Sequence, residues 1–442
     1  MSEPAPTKRE GLLKNLAWLT VGNAAAKPLW FLFITAICTR VLGAAEYGTL
    51  LAALALVGLV VGLTEMGTNA YVTRELSRQP GASSSLFTNL LAGRSALGLL
   101  AVALLPLGQV VGYATHEVAA LTAAGAYTVA FRLNELCRTL YRAREVLRYE
   151  AASIVSERLL TVGGGLAGLL TTRSAVGTLL GMSAGILVAL LANVAWIHGR
   201  LSPVRRAVLS LRTLGDAYRA SVPIGLVFLF MMVVNVGGIV LVEATLGNAE
   251  AGRYGAAYKL LEMLQLLPTI ICTPLLPRLS YLQLHGTAQG FRRVLLRSAL
   301  GLTAATVAIA AVLSLTAPVV VRLLTADASF EGTIAILRVM AWAYPFMAVG
   351  MLLLYALVAA DLHRYAAVLT AAAAVLSTGG LLALIPVYGA LGAAFAFGGT
   401  HAVVVVGAAW GLRHVGREAP DPVGPQAPRP SPSLPRPEHE AG

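Results

Sequence analysis

Leu42-Gly43-Ala44-Ala45-Glu46-Tyr47-Gly48 follows the first long apolar run of the chain, and Leu246-Gly247-Asn248-Ala249-Glu250-Ala251-Gly252 follows another one 204 residues later. Two Leu-Gly turns, each continuing to Glu and Gly at the same steps, point to a duplicated unit. Further correspondences keep the same order. Ser174-Ala175-Val176-Gly177 parallels Gly389-Ala390-Leu391-Gly392 at an offset of 215, and Arg148-Tyr149 parallels Arg364-Tyr365 at an offset of 216. Each match is short, but together they put equivalent loops between equivalent apolar runs.

The runs themselves define the class. Of 442 residues, 57% are hydrophobic and 12% are charged, about half the charge of an ordinary soluble domain. A mean hydropathy of +0.74 excludes a water-soluble globule. A bilayer core takes roughly 20 apolar residues per helix. Twelve stretches qualify, at about 14–36, 46–66, 86–106, 118–137, 150–171, 175–197, 219–242, 252–275, 295–316, 334–358, 365–386 and 390–412. The expected fold is an all-α integral membrane protein of twelve transmembrane helices, in two six-helix bundles related by a parallel internal repeat. The N-terminus takes 1–13, the first bundle 14–197, a basic linker 198–218, the second bundle 219–412 and a tail 413–442. Six is even, so both halves enter the membrane from one side, as in many secondary transporters. The first run follows Lys8, Arg9 and Lys14 and passes Trp30 with no small-residue cleavage site, which reads as an uncleaved span.

The formal charge of +12 would by itself suggest a nucleic-acid partner. Its distribution gives a simpler account. Counted on alternate sides of the twelve runs, 24 Lys and Arg fall on one side and 4 (Arg40, Arg173, Arg253, Arg322) on the other. Positive residues accumulate in the cytoplasm, so both termini are expected there, with the chain in the cytoplasmic (inner) membrane and nucleic acid not required. The tail carries eight of the 21 prolines and no apolar periodicity, which predicts a disordered extension. Three widely spaced cysteines (Cys38, Cys137, Cys272) offer no disulfide or zinc pattern. GxxxxGK and HExxH are absent from the chain. The loops opposite the basic side are short, with little room for a catalytic constellation. A secondary transporter without cofactor or metal is expected, not an enzyme.

Ionisable groups inside the runs carry the functional expectation, because each costs at least about 2.5 kcal/mol near the bilayer centre unless it faces a cavity or a partner. Asn23 and Lys27 share a helix face just before Pro28. Arg94, Arg158 and the Lys259/Glu262 pair, with Gln265 continuing its face, are further cavity candidates. Glu157 and Arg158 are adjacent and expected to point apart. Glu65, near the basic end of its span, is a coupling or structural acid, and Arg338 is expected to snorkel. Gly164/Gly168 and Gly181/Gly185 are expected to pack helices; Trp18, Tyr47, Tyr254 and Trp410 to form an interfacial belt; His401 to be a packed histidine. Five cations against three acids within the spans favour an anionic ligand such as phosphate or diphosphate on an amphipathic carrier. An exporter of organic cations would show the opposite sign.

Thr39-Arg40-Val41-Leu42-Gly43-Ala44-Ala45-Glu46-Tyr47-Gly48 resembles the entry to the second helix of bacterial polysaccharide-biosynthesis flippases. So do Gly252-Arg253-Tyr254-Gly255-Ala256-Ala257-Tyr258, Pro274, Pro277 and Ile385-Pro386-Val387-Tyr388-Gly389-Ala390-Leu391-Gly392. These belong to the oligosaccharide branch of the multidrug/oligosaccharidyl-lipid/polysaccharide exporter superfamily, and the resemblance covers about 10–412. It implies two six-helix bundles around a central cavity, alternating access, and outward flipping of a polyprenyl-diphosphate-linked oligosaccharide for surface polysaccharide. Membrane lipid and a polysaccharide polymerase or assembly machinery are the implied partners. An ion-coupled multidrug exporter is the alternative on the same fold. Where related sequences often carry an Asp-Arg pair, this chain reads Gly237-Gly238-Ile239, so coupling built on that pair does not carry over.

Overall fold

The structure, a computed structural model, describes residues 12–78, 83–111, 114–200 and 210–413; the expected tail, most of the N-terminus and linker residues 201–209 lie outside them. The chain runs as α1 (Leu12–Phe31), one stretch of π-helix (Leu32–Ile37), α2 (Cys38–Glu65), α3 (Thr68–Arg78), α4 (Ser83–Leu104) ending in a 3-10 segment (Leu105–Val111), α5 (Thr115–Ala143), α6 (Leu147–Thr172) and α7 (Ala175–Arg200). It continues as α8 (Leu211–Leu246), α9 (Asn248–Leu264), α10 (Leu266–His285), α11 (Ala288–Thr325), α12 (Thr333–Ala359), α13 (His363–Tyr388) and α14 (Ala390–Arg413).

Among the described residues, ten helical runs are long and apolar enough to cross a membrane. Two causes separate ten from the twelve expected. Gly22–Glu65 counts as a single 44-residue run, although Gly43, at φ 69°, interrupts it. α5 falls outside the ten because it carries Glu117, Arg132, Glu135, Arg138 and Arg142. Large apolar side chains such as Leu315, Val375 and Leu191 point outward, which is stable only against lipid. The chain is a multi-pass helical membrane protein.

Small residues set the tightest helix crossings. A Cβ on Gly164 would lie 2.2 Å from the Gly181 carbonyl oxygen, and one on Gly168 would lie 2.0 Å from that of Gly177. Thus α6 and α7 meet backbone to backbone, as the spacing predicts. The helices after the two Leu-Gly turns form a second crossing. A Cβ on Gly48 would meet the Asn248 carbonyl at 1.7 Å, and one on Gly252 would meet the Ala44 carbonyl at 2.0 Å. Gly43 and Gly247, the glycines of the two Leu-Gly turns, both have positive φ (69° and 86°), a backbone region that glycine adopts without steric penalty.

Around this crossing the end of the molecule opposite the arginine-rich side is tied shut. Ala44 N donates to Ser329 Oγ (3.2 Å), Arg253 Nε to the Ser329 carbonyl (2.8 Å) and Arg40 Nε to the Leu324 carbonyl (3.0 Å). Asn248 Nδ2 donates to Glu117 Oε1 (3.1 Å) and Ala175 N to Glu46 Oε2 (2.6 Å). Tyr47 is buried edge-on against Phe330 (5.8 Å), and Tyr254 is buried against Gly238. Neither belongs to an interfacial belt, because both are consumed by this packing; Trp18 and Trp410 are exposed. At the arginine-rich end, α8 starts at Leu211, earlier than the expected span. Its first turns lean on the first half through Ser210 N to Asn89 Oδ1 (2.8 Å) and Tyr218 Oη to the Thr64 carbonyl (2.5 Å).

Candidate functional site

α1 carries Lys27 just before Pro28, followed by Trp30 and Phe31, and the π-helical turn that comes next carries Ile34; Lys27, Trp30, Phe31 and Ile34 all face α9 and α10 across one cavity. Those two helices are separated by a break at Gln265. Between them lies a cavity of about 280 Å³ lined by Lys27, Trp30, Phe31, Ile34, Arg158, Lys259, Glu262, Met263, Gln265, Leu266 and Thr269. Four of the sequence-derived candidates (Lys27, Arg158, Lys259 and Glu262) therefore meet there, from helices more than 230 residues apart in sequence at the extremes. The lining holds three cations and one carboxylate. Lys259 Nζ donates to Glu262 Oε2 at 2.6 Å, so within the lining itself Lys27 and Arg158 have no carboxylate of their own, although Arg158 Nε lies 3.9 Å from Glu157 Oε1 behind it. The Arg158 guanidinium lies 4.9 Å from the Trp30 ring centre and 5.4 Å from that of Phe131. Aromatic faces hold a guanidinium in place without neutralising it. Phe31, Met263 and Leu266 form a shared wall with an apolar pocket of about 250 Å³, otherwise lined by Leu260, Leu264, Leu267 and Leu313.

Asn23 lies outside this lining, although it shares a helix with Lys27. Arg94 and Glu65 go elsewhere. Arg94 is 1% exposed; it donates to Asn69 Oδ1 (2.7 Å) and the Arg132 carbonyl (3.3 Å) and lies 3.8 Å from Glu65. Arg132 sits 3.1 Å from Glu65 and 2.9 Å from Glu135. Arg138 binds Glu157 Oε2 at 2.5 Å, and Asn134 donates to the same oxygen at 2.6 Å. Asn193 donates to Asn134 Oδ1 (2.6 Å) and Ser153 Oγ (2.8 Å), and accepts from Tyr141 (3.0 Å). Three arginines and three glutamates thus form a neutral network tying α2, α3, α4, α5, α6 and α7 together.

That network corrects two expectations. Arg132 and Arg138 are among the 24 cations that the sequence places on the basic side, but α5 continues past them and buries Arg138. Glu157 and Arg158 do not point fully apart: Arg158 Nε lies 3.9 Å from Glu157 Oε1, so the network touches the cavity at this point. The spacing of Arg132, Glu135 and Arg138, three apart on one helix face, and the asparagines inside apolar runs were the available signals. Arg338 donates to the Ser314 carbonyl (3.3 Å) and is exposed. His401 is buried, with Nδ1 2.9 Å from the Phe397 carbonyl, as a packed histidine. No group of three or more His, Cys, Asp or Glu suited to a metal occurs among the described residues.

This helical bundle, with a charged cavity beside an apolar pocket, shares its fold with solved structures of membrane proteins. The lipid II flippase MurJ in an inward closed conformation is similar over 90% of this chain and 87% of its own, with TM-score 0.73 and 11% identity. An inward-facing multidrug resistance MATE family transporter of the MOP superfamily is similar over 92% and 98%, with TM-score 0.66 and 16% identity. A MOP superfamily transporter from Pyrococcus furiosus, described as having a binding pocket of reverse polarity, is similar over 93% and 99%, with TM-score 0.63 and 16% identity. At these identities the likeness is one of fold. No curated protein matches the chain in sequence. The family model for polysaccharide biosynthesis proteins matches residues 12–283. The chain belongs to the polysaccharide biosynthesis protein family.

Proposed function

We propose that this protein flips a polyprenyl-diphosphate-linked oligosaccharide across the cytoplasmic membrane for surface polysaccharide, by alternating access. The excess of cations in the cavity carries this reading. Lys27 and Arg158 offer charge and hydrogen-bond donors that a diphosphate can accept, the guanidinium bidentately. At about 280 Å³ the cavity suits a headgroup-sized anion, and the adjoining apolar pocket suits the first units of a lipid tail. An organic-cation exporter would leave Lys27 and Arg158 facing its own cargo with like charge, so the sign of the lining favours the lipid-linked anion over a multidrug substrate.

The architecture we propose is the twelve-span one, with bundles at 14–197 and 219–412 related by a parallel repeat and both termini cytoplasmic. The break at Gly43, the matching break at Gly247 and the reciprocal approach of Gly48 and Gly252 support it. On that assignment the tied end is extracytoplasmic, and rocking of the halves that parts it would expose the cavity to that side. We read Glu65 as structural, since Arg94, Arg132 and Asn69 already hold it.

The test is Lys27→Ala and Arg158→Ala in cells, followed by reconstitution. Both variants are expected to reach normal protein abundance and to lose surface polysaccharide, and vesicles of the parent protein to move a polyprenyl-diphosphate sugar that the variants leave in place. Normal polysaccharide in both, or dye efflux by the parent vesicles without movement of the lipid-linked sugar, would overturn the assignment.

A further inference from the structure

The α9–α10 run and α11 each span 38 residues, roughly 57 Å at 1.5 Å per residue. A bilayer with its headgroups is about 40–45 Å thick, so both helices overshoot by roughly 12–17 Å. Their far ends are anchored at the tied end, Gly252 against Ala44 and Ser329 beside Ala44. The overshoot therefore falls at the arginine-rich side, as the hairpin of α10 and α11 joined through Gly286 and Thr287.

This hairpin carries Arg278, Arg292, Arg293 and Arg297, all exposed. Among the described residues none of the four has an ion pair or a side-chain hydrogen bond. The chain has no Asp or Glu between Glu262 and Asp327, so no local acid offsets them. Leu279, Phe291 and Leu295 are buried and hold the two helices together, while Tyr281 (64%), Leu284 (78%) and Leu296 (50%) are exposed beside the arginines. Bare arginines and bare apolar side chains on one outward surface suit neither water nor the hydrocarbon core. They suit the layer between, where guanidinium meets phosphate and leucine meets the first methylenes. An acidic protein would satisfy the arginines but lacks the apolar layer that the leucines and Tyr281 require.

We infer that the α10–α11 hairpin binds the phosphate headgroups of anionic membrane lipids. α10 continues directly into the cavity wall at Gln265, Leu266 and Thr269, so a lipid held here would stand at the approach to the cavity. The inference does not depend on what the cavity transports.

The test uses the full-length protein in phosphatidylcholine vesicles containing spin-labelled phosphatidylglycerol or spin-labelled phosphatidylcholine. The motionally restricted fraction reports relative affinity. Each arginine at the headgroup layer contributes about fivefold, so a clear preference for phosphatidylglycerol is expected, falling as salt rises. Arg278→Gln/Arg292→Gln/Arg293→Gln/Arg297→Gln should lose at least tenfold of that preference, and the corresponding four-lysine variant should keep most of it. Arg144→Gln/Arg148→Gln, on another basic loop, should leave it unchanged. If the four-glutamine variant does not fold, Arg292→Gln/Arg293→Gln should show a partial loss. No preference in the parent protein, or the same preference in the glutamine variants, overturns the inference.

Discussion

Glu157 answers at once to Arg138 and Asn134, with the cavity residue Arg158 beside it, and it is 1% exposed. Removing one member of a buried ion pair leaves an uncompensated charge and costs about 3–5 kcal/mol. Glu157→Ala should therefore lower unfolding stability in detergent by that amount, measured by thermal or denaturant titration. Arg94→Ala should reduce protein abundance in the membrane for the same reason. Lys27→Ala should not change stability measurably, because Lys27 lines a cavity and neutralises no buried acid; an equal loss in all three would contradict this division. At this scale Lys27, Arg158, Lys259 and Glu262 were legible as cavity candidates, whereas Arg132 and Arg138 read as loop charges although they lie on α5. Arg94 and Glu65 were not separable from the cavity candidates. Which neighbour a buried charge finds depends on contacts between helices far apart in the chain, and hydropathy carries no record of those.

The elements were easier to read, because length and apolarity fix a membrane helix almost by themselves. The glycine pairs on α6 and α7 were visible as spacings, and the structure brings carbonyls of one helix onto the Cα positions of the other. Gly181→Ala should force the backbones apart and cost about 1–3 kcal/mol as an overpacked contact, whereas Gly199→Ala and Gly301→Ala, with nothing within 4 Å, should be close to neutral. Thermal unfolding of the three purified variants separates these outcomes. What the elements hid was where a span ends. α5 reads as apolar only to about Cys137, yet it continues as helix to Ala143, because its charges are paired inside the protein and need no water. Likewise the π-helical turn after α1 left no signature beyond Pro28.

For the whole molecule, the tied end predicts that it must part if transport proceeds by alternating access. Ala44 N donates to Ser329 Oγ (3.2 Å), so the pair marks the contact to be locked, by Ala44→Cys/Ser329→Cys with mild oxidation or a short bifunctional thiol cross-linker. That link should halt surface polysaccharide production, and reducing the disulfide should restore it; continued production with the link fully formed would exclude opening at this end. The charge network of α5 has a consequence for how the chain is made. A segment holding Arg132, Glu135 and Arg138 within seven residues is a poor candidate to enter lipid alone, since each charge placed deep in a bilayer costs at least about 2.5 kcal/mol. Its partners arrive on both sides of it: Glu65 and Arg94 are synthesised before it, and Glu157 and Asn193 after it. α5 is thus expected to wait in the insertion machinery until α6 and α7 emerge, and a chain truncated after Ala143 should leave it uninserted, as a glycosylation or protease-protection assay would report. Membrane insertion of the first half is then a cooperative event, timed by the arrival of a single glutamate.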